Sequence, residues 1–329
     1  MTKAVPLEAA PDLRGRLALV TGANSGIGFG VARRFVRAGA DVVLAVRNTA
    51  KGAEAAQRLG DAAPGARVRV EEVDLSSLAS VRDLGARVNA EGAPLHYLVN
   101  NAGILAPPRR TRTGDGFELQ MATNYLGAFA LTGLLLPVLR RGGGRVVAMS
   151  SLTARTARLS TEDLNGTGTY HPYAVHSTSK LALLVFALEL DRRGRLHGWG
   201  ISSNAVHPGG VSGHFHVAGP SLGGGRPDLV ARFSARLYRL PGLGNDVTGG
   251  SLLPFFAATD GRAEGGAYYA PAGFAELSGP PAPAKVPGRA EDARLAARLW
   301  EASEALTGVT FPGSDPGSDH ESGSGIGPA

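Results

Sequence analysis

Short blocks of consecutive apolar residues alternate along the first two thirds of the chain with longer stretches in which apolar positions recur every three or four residues. The blocks predict strands over 17–20, 41–46, 68–73, 95–100, 145–149 and 201–206. The longer stretches predict helices over 27–37, 50–59, 78–88, 124–140 and about 172–196. Strands that run as continuous apolar blocks, each followed by a helix, belong to a parallel sheet covered on both faces. The expected fold class is therefore α/β, a doubly wound parallel sheet in a single domain. After Pro208 the regularity fades into Gly- and Pro-rich segments. Within them Leu229, Phe233, Leu237 and Leu240 keep helical spacing, which suggests a small helical substrate lid over about 212–245. The expected organisation is an N-terminal extension (1–13), one domain (14–310) and a disordered tail (311–329), the tail being Gly, Ser, Pro, Asp and Glu with little to bury.

Composition narrows the functional classes. The net charge is +6, but only four of the 34 basic residues are lysines and the arginines are spread rather than clustered. A solvated surface is expected, not a nucleic-acid groove. The absence of cysteine removes disulfide and thiolate chemistry and fits a reducing, cytoplasmic setting. The first twelve residues lack a signal-peptide pattern. The longest apolar runs, at 131–139 and 181–190, are broken by Pro137 or by charge, so no membrane association is expected.

Candidate chemistry begins between the first strand and helix, at Thr21-Gly22-Ala23-Asn24-Ser25-Gly26-Ile27-Gly28. The three glycines permit a tight turn, close approach of backbone to a pyrophosphate, and close packing of helix on strand. The helix N-terminus adds unpaired N–H groups and the positive end of a dipole. That context, a strand before and a helix after, points to a dinucleotide site on a Rossmann fold. The second strand ends in Val46-Arg47-Asn48 rather than in an acid. The forked guanidinium of Arg47 suits a 2′-phosphate, so NADP(H) is expected, with NAD(H) the less favoured cofactor.

The TGxxxGxG spacing resembles the short-chain dehydrogenase/reductase family. Asp74-Leu75, Asn100-Asn101-Ala102-Gly103 and Asn204-Ala205-Val206-His207-Pro208-Gly209-Gly210-Val211 follow it in the family's order. Gly116-Phe117-Glu118-Leu119-Gln120, Asn124-Tyr125-Leu126-Gly127, Leu299-Trp300-Glu301 and Thr307-Gly308 are similar to its retinol-dehydrogenase-like branch. The resemblance implies cofactor contacts from Gly22, Asn24, Ser25, Gly26, Ile27, Gly28, Arg47, Asn48, Asp74, Leu75, Asn101, Ala102, Gly103, Lys180, Pro208, Gly209 and Val211. It implies a catalytic set of Asn124, Ser151 and Lys180, completed in the family by a tyrosine four residues before the lysine. Here that place is His176. Lys180 is also singled out by its own setting, a charge on a predominantly apolar helix.

Three readings of His176 stand open. The imidazole takes the tyrosine's role, although it reaches roughly 2 Å less far than a phenol. Tyr173, one turn earlier, reaches in instead. Or hydride transfer is lost, and the fold serves a redox-silent lyase or cyclase, or a non-catalytic NADP(H)-binding protein. The leading expectation is an NADP(H)-dependent oxidoreductase for a carbonyl or alcohol of a hydrophobic small molecule, such as a secondary metabolite. A loop position where the family often has Thr is Gly213, beside Ser212, which fits altered chemistry and drift in a variable loop equally. His207, His214 and His216 lack supporting ligands, so no metal is expected. By analogy with the family the chain would form a homo-oligomer.

Overall fold

The computed structural model describes residues 11–63, 65–165, 167–211 and 244–313. The expected lid, with Ser212, Gly213, His214 and His216, lies outside the described residues except for its last two positions.

Among the described residues the chain forms one eight-stranded sheet in the order β3-β2-β1-β4-β5-β6-β7-β8. The strands are β1 (Leu17–Thr21), β2 (Asp41–Val46), β3 (Val68–Glu72), β4 (Tyr97–Asn100), β5 (Arg145–Met149), β6 (Ser202–Val206), β7 (Tyr268–Pro271) and β8 (Pro281–Pro283). All pair in parallel except β8, which runs antiparallel to β7. The α/β, Rossmann-like class is as expected. Alternate residues of β1 face opposite layers: Leu19 joins one core and Ala18 and Val20 the other. The strand order reverses between β1 and β4, and this is where ligands bind in doubly wound sheets.

The helices that place the site are α1 (Gly26–Arg37), α2 (Thr49–Ala62), α3 (Leu78–Glu91), α4 (Leu119–Gly142) and α5 (Pro172–Leu196). Two further helices, α6 (Leu252–Thr259) and α7 (Ala293–Thr307), lie in the segment that reads as irregular. So do β7 and β8. Edge strands tolerate proline because one side of their backbone needs no partner, which is why the Pro-rich segment around β8 can still close the sheet.

One expectation needs correction. As the expected helix 124–140 does, α4 runs through Pro137, ending at Gly142. With 24 residues, α4 is long and apolar enough to cross a membrane by length and composition, contrary to the sequence reading. Its surface is instead mostly buried inside the protein, where Phe129, Leu131, Leu135 and Leu139 belong to the core. Leu13 and Phe311, one residue outside either end of the expected domain, are buried. Phe311 packs 4.5 Å from the Trp300 ring of α7, and Trp300 packs in turn on Phe129 and Phe186.

Candidate functional site

The Gly-rich turn leaves β1 with Gly22 and Gly26 at φ +67° and +55°, conformations that favour glycine. Gly28 is required for a different reason. A Cβ there would stand 2.4 Å from Asn101 Nδ2 and 2.5 Å from Gly22 O. The first helical bond of α1 runs from Phe29 N to Ser25 O, and the Ser25 side chain does not cap the helix. The amides of Gly26, Ile27 and Gly28 therefore have no partner within the helix, the arrangement that receives a phosphate. The cradle fits the pyrophosphate of a dinucleotide, with Asn24 and Ser25 on its rim.

Thr21, to which the sequence reading gave no role, holds this turn to the next loop. Its hydroxyl accepts from Asn101 N and Ala102 N, both at 3.0 Å, and donates to Val99 O. Asn101 Nδ2 donates back to Thr21 O at 2.8 Å. Thr21→Val is expected to leave the half-buried Ala102 amide without this partner, the Asn101 amide keeping Val99 O, and to cost about 1–3 kcal/mol, read as a lower urea midpoint at unchanged m-value. An unchanged midpoint would show that the Ala102 amide finds another partner.

Arg47 stands exposed at the end of β2. Asn48 beside it has local work: its side-chain oxygen accepts from Lys51 N at 2.9 Å and caps α2. Asp74 accepts from both the backbone N and the hydroxyl of Ser76, which fixes the loop after β3. Leu75 is buried, with its carbonyl against Gly127. A dinucleotide bound across the switch point would lie with its adenosine half on the β1–β2–β3 side and its nicotinamide half over β4, β5 and β6.

On that second side Asn124, His176 and Lys180 come together. Asn124 lies in a five-residue π-helical stretch of α4, Ala122–Leu126, a widened turn of the kind often found at functional sites. Its Oδ1 accepts from Ile104 N at 2.7 Å, and its Nδ2 donates to Ile104 O at 3.1 Å and Ser179 Oγ at 2.9 Å. Ser179 Oγ donates onward to His176 O at 2.7 Å. His176 is buried on α5, its Nδ1 lying 3.2 Å from Ile104 O. A carbonyl can only accept, so Nδ1 carries a proton and Nε2 is the ring's proton-exchanging atom. Tyr173 is 39% exposed, one turn earlier on α5.

Lys180 Nζ donates to Met149 O at 2.7 Å, and a Cβ on Gly103 would stand 3.3 Å from it. Burial of the ammonium pulls its pKa down from 10.5 to about 8. Ser150 Oγ donates to Lys180 O, joining the end of β5 to α5. Ser151 opens the 3₁₀ turn Leu152–Thr156, and its hydroxyl oxygen accepts from Thr153 N and Thr153 Oγ1. Its own proton remains available for a substrate oxygen.

Pro208, Gly209 and Val211 follow β6. Gly209 has φ +80°, and a Cβ there would meet Leu277 O at 2.3 Å. Gly210 N donates to Leu277 O, and Asn245 Nδ2 donates to Pro208 O. Among the described residues no group of three His, Asp or Glu side chains is placed to hold a metal ion. Thr21, Ser150 and Ser179 are functional supports missed in the sequence, although each adjoins a residue that was recognised.

Comparison with known proteins agrees with this geometry. Residues 16–218 match the family model described as short chain dehydrogenase. A polyprenol dehydrogenase from Danio rerio is 35% identical over 314 residues, 93% of this chain and 91% of the relative. Retinol dehydrogenase 13 from Mus musculus is 35% identical over 323 residues, 93% of this chain and 88% of the relative. The crystal structure of an uncharacterized protein from Mycobacterium Paratuberculosis superposes with a TM-score of 0.72 at 38% identity, covering 92% of this chain and 97% of that one.

Proposed function

The chain belongs to the short-chain dehydrogenase/reductase family of oxidoreductases, and from that premise we propose that it is an NADP(H)-dependent enzyme interconverting the alcohol and carbonyl of a hydrophobic small molecule, with His176 as its proton-transferring group. The observation that carries the reading is the single network joining Asn124, Ile104, Ser179 and His176, one helical turn from Lys180.

When bound, the nicotinamide supplies the hydride donor or acceptor. The chain's own residues do the rest. The Ser151 hydroxyl holds the substrate oxygen by donating to it. His176 Nε2 gives a proton to that oxygen in reduction and takes it in oxidation, while Nδ1–H on Ile104 O keeps the ring oriented. Lys180, a buried donor fixed on Met149 O, offers its remaining protons to a ribose hydroxyl and places positive charge near the proton-transferring ring. Asn124 holds Ile104, whose carbonyl orients the imidazole, and Ser179, whose hydroxyl donates to the His176 backbone carbonyl. The names of the two relatives, a polyprenol and a retinol dehydrogenase, support a long apolar alcohol as substrate class.

The direct test incubates purified protein with NADPH and a panel of apolar aldehydes and ketones, or with NADP+ and polyprenols and retinol. Stoichiometric change in cofactor oxidation state is expected. Conversion of substrate without that change would establish the redox-silent reading instead, which the short reach of a buried imidazole favours.

Cofactor choice rests on Arg47. Arg47→Ala is expected to weaken NADPH binding about tenfold or more, the worth of a charge-assisted contact, and to leave NADH binding within about twofold. Equal loss for both would separate Arg47 from the 2′-phosphate.

A further inference from the structure

Glu276 has no counterpart in any motif read from the sequence, yet it touches two loops of the site. It follows β7 in the segment 272–278, which lies against the Pro208–Gly210 loop through the bond from Gly210 N to Leu277 O. Its carboxylate oxygen Oε2 accepts from His207 Nε2 at 2.6 Å and is paired with the Arg155 guanidinium. Arg155 lies in the 3₁₀ turn that begins beside Ser151. His207 is fully buried and immediately precedes Pro208. One carboxylate, 25% exposed, thus joins the loop after β5 to the loop after β6.

The direction of these bonds is fixed. Gly209 N donates to His207 Nδ1 at 3.2 Å, so the ring's proton sits on Nε2 and is given to Glu276. The imidazole is therefore a rigid link between the Gly209 amide and the carboxylate. The Tyr268 ring lies 5.6 Å from the His207 ring, and its hydroxyl donates to Ser151 O at 3.4 Å, closing the circuit on the candidate catalytic serine. The backbone is bent to achieve this. Ala275 and Glu276 have φ of +49° and +57°, a left-handed pair with no glycine in it. Such a conformation persists where surrounding contacts impose it, and it gathers at functional sites. Burial opposes ionisation of Glu276, but the hydrogen bonds from His207 and Arg155 outweigh it and hold the carboxyl below its ordinary range.

We propose that Glu276 is a positioning residue for the nicotinamide half of the cofactor site, setting the spacing between the Ser151 turn and the Pro208–Gly210 loop through Arg155 and His207. The inference rests on the NADP(H) reading above. It extends that reading to a residue from the last parallel strand's loop, outside the matched segment 16–218.

The test is calorimetric titration of Glu276→Ala and Glu276→Gln with two ligands, NADPH and 2′-phospho-ADP-ribose, the latter lacking the nicotinamide. Glu276→Ala is expected to weaken NADPH about tenfold, from loss of one charge-assisted link, with 2′-phospho-ADP-ribose unchanged within about twofold. Glu276→Gln keeps an oxygen that accepts from His207 and is expected to recover most of the NADPH affinity. Arg155→Met, which leaves Glu276 and His207 in place, is read in the same way should the alanine variant fail to fold. Unchanged NADPH affinity in Glu276→Ala, or equal weakening of both ligands, overturns the inference. Failure of the unsubstituted chain to bind NADPH overturns the cofactor reading, and the inference with it.

Discussion

His176→Ala is expected to lower turnover by about 10²- to 10⁴-fold, the range associated with a positioned proton donor. NADPH affinity should stay close to that of the unsubstituted chain. The two readouts separate because His176 lies in the Asn124–Ile104–Ser179 network, while the phosphate cradle is built by Thr21, Gly28 and Asn101 elsewhere on the sheet. His176→Tyr provides the complementary arm. A phenol at this place reaches further toward the substrate oxygen, so this variant should equal or exceed the unsubstituted rate if the network tolerates its bulk. An alanine variant that turns over the same substrate at the same rate removes His176 from the mechanism. Loss of NADPH binding in that variant would make the residue a support of the cofactor pocket instead.

Lys180→Met carries a second large effect, with two signatures. Turnover should fall by at least about 100-fold, as the buried donor near Gly103 and Met149 is lost. Stability of the cofactor-free protein should respond to pH in a defined sense. The Lys180 pKa is pushed down to about 8 in the folded chain from 10.5 in the unfolded one. Below pH 8 the amine is charged in both states, and the burial penalty acts in full. Between pH 8 and 10.5 the unfolded chain binds the extra proton, so stability rises with pH. The size of that rise is about 3 kcal/mol. Lys180→Met lacks the titration, so its stability relative to the parent should decline by that amount between pH 7.5 and about 10.5. Urea unfolding of both proteins at the two pH values measures it. A stability difference independent of pH would mean that the ammonium is as well solvated inside as in the unfolded chain.

The parts of the fold that were legible share a physical cause. β1, β2 and β5 are buried on both faces, so their sequences run as unbroken apolar blocks that mark each strand to within a residue or two. The candidate site was legible for a related reason: in a parallel sheet sites gather at the strand ends, and Gly22 and Asn101 directly follow strands while Ser151 and Pro208 stand two residues beyond theirs. The illegible parts depend on distant contacts. β8 is three residues with two prolines, and only pairing with β7 makes it a strand. Asn48 read as a cofactor residue, yet its oxygen is engaged by an amide three positions on, a helix cap that the same residue type marks equally well. Glu276 had no signal at all. Its role arises from a left-handed turn without glycine and from partners 69 and 121 residues away.

The C-terminal helix has a consequence for how the chain is made. Phe129 and Phe186, presented by α4 and α5, are covered by Trp300 and Phe311, and Tyr125 Oη meets Ser303 Oγ at 2.6 Å. Synthesis runs from the N-terminus, so the seven parallel strands and their phosphate cradle leave the ribosome before those covering rings exist. During that interval the nascent domain presents an aromatic face to water, and to chaperones or neighbouring chains. Residues 293–311 cover that face in the folded chain, and premature termination ahead of them should yield a protein that aggregates through it.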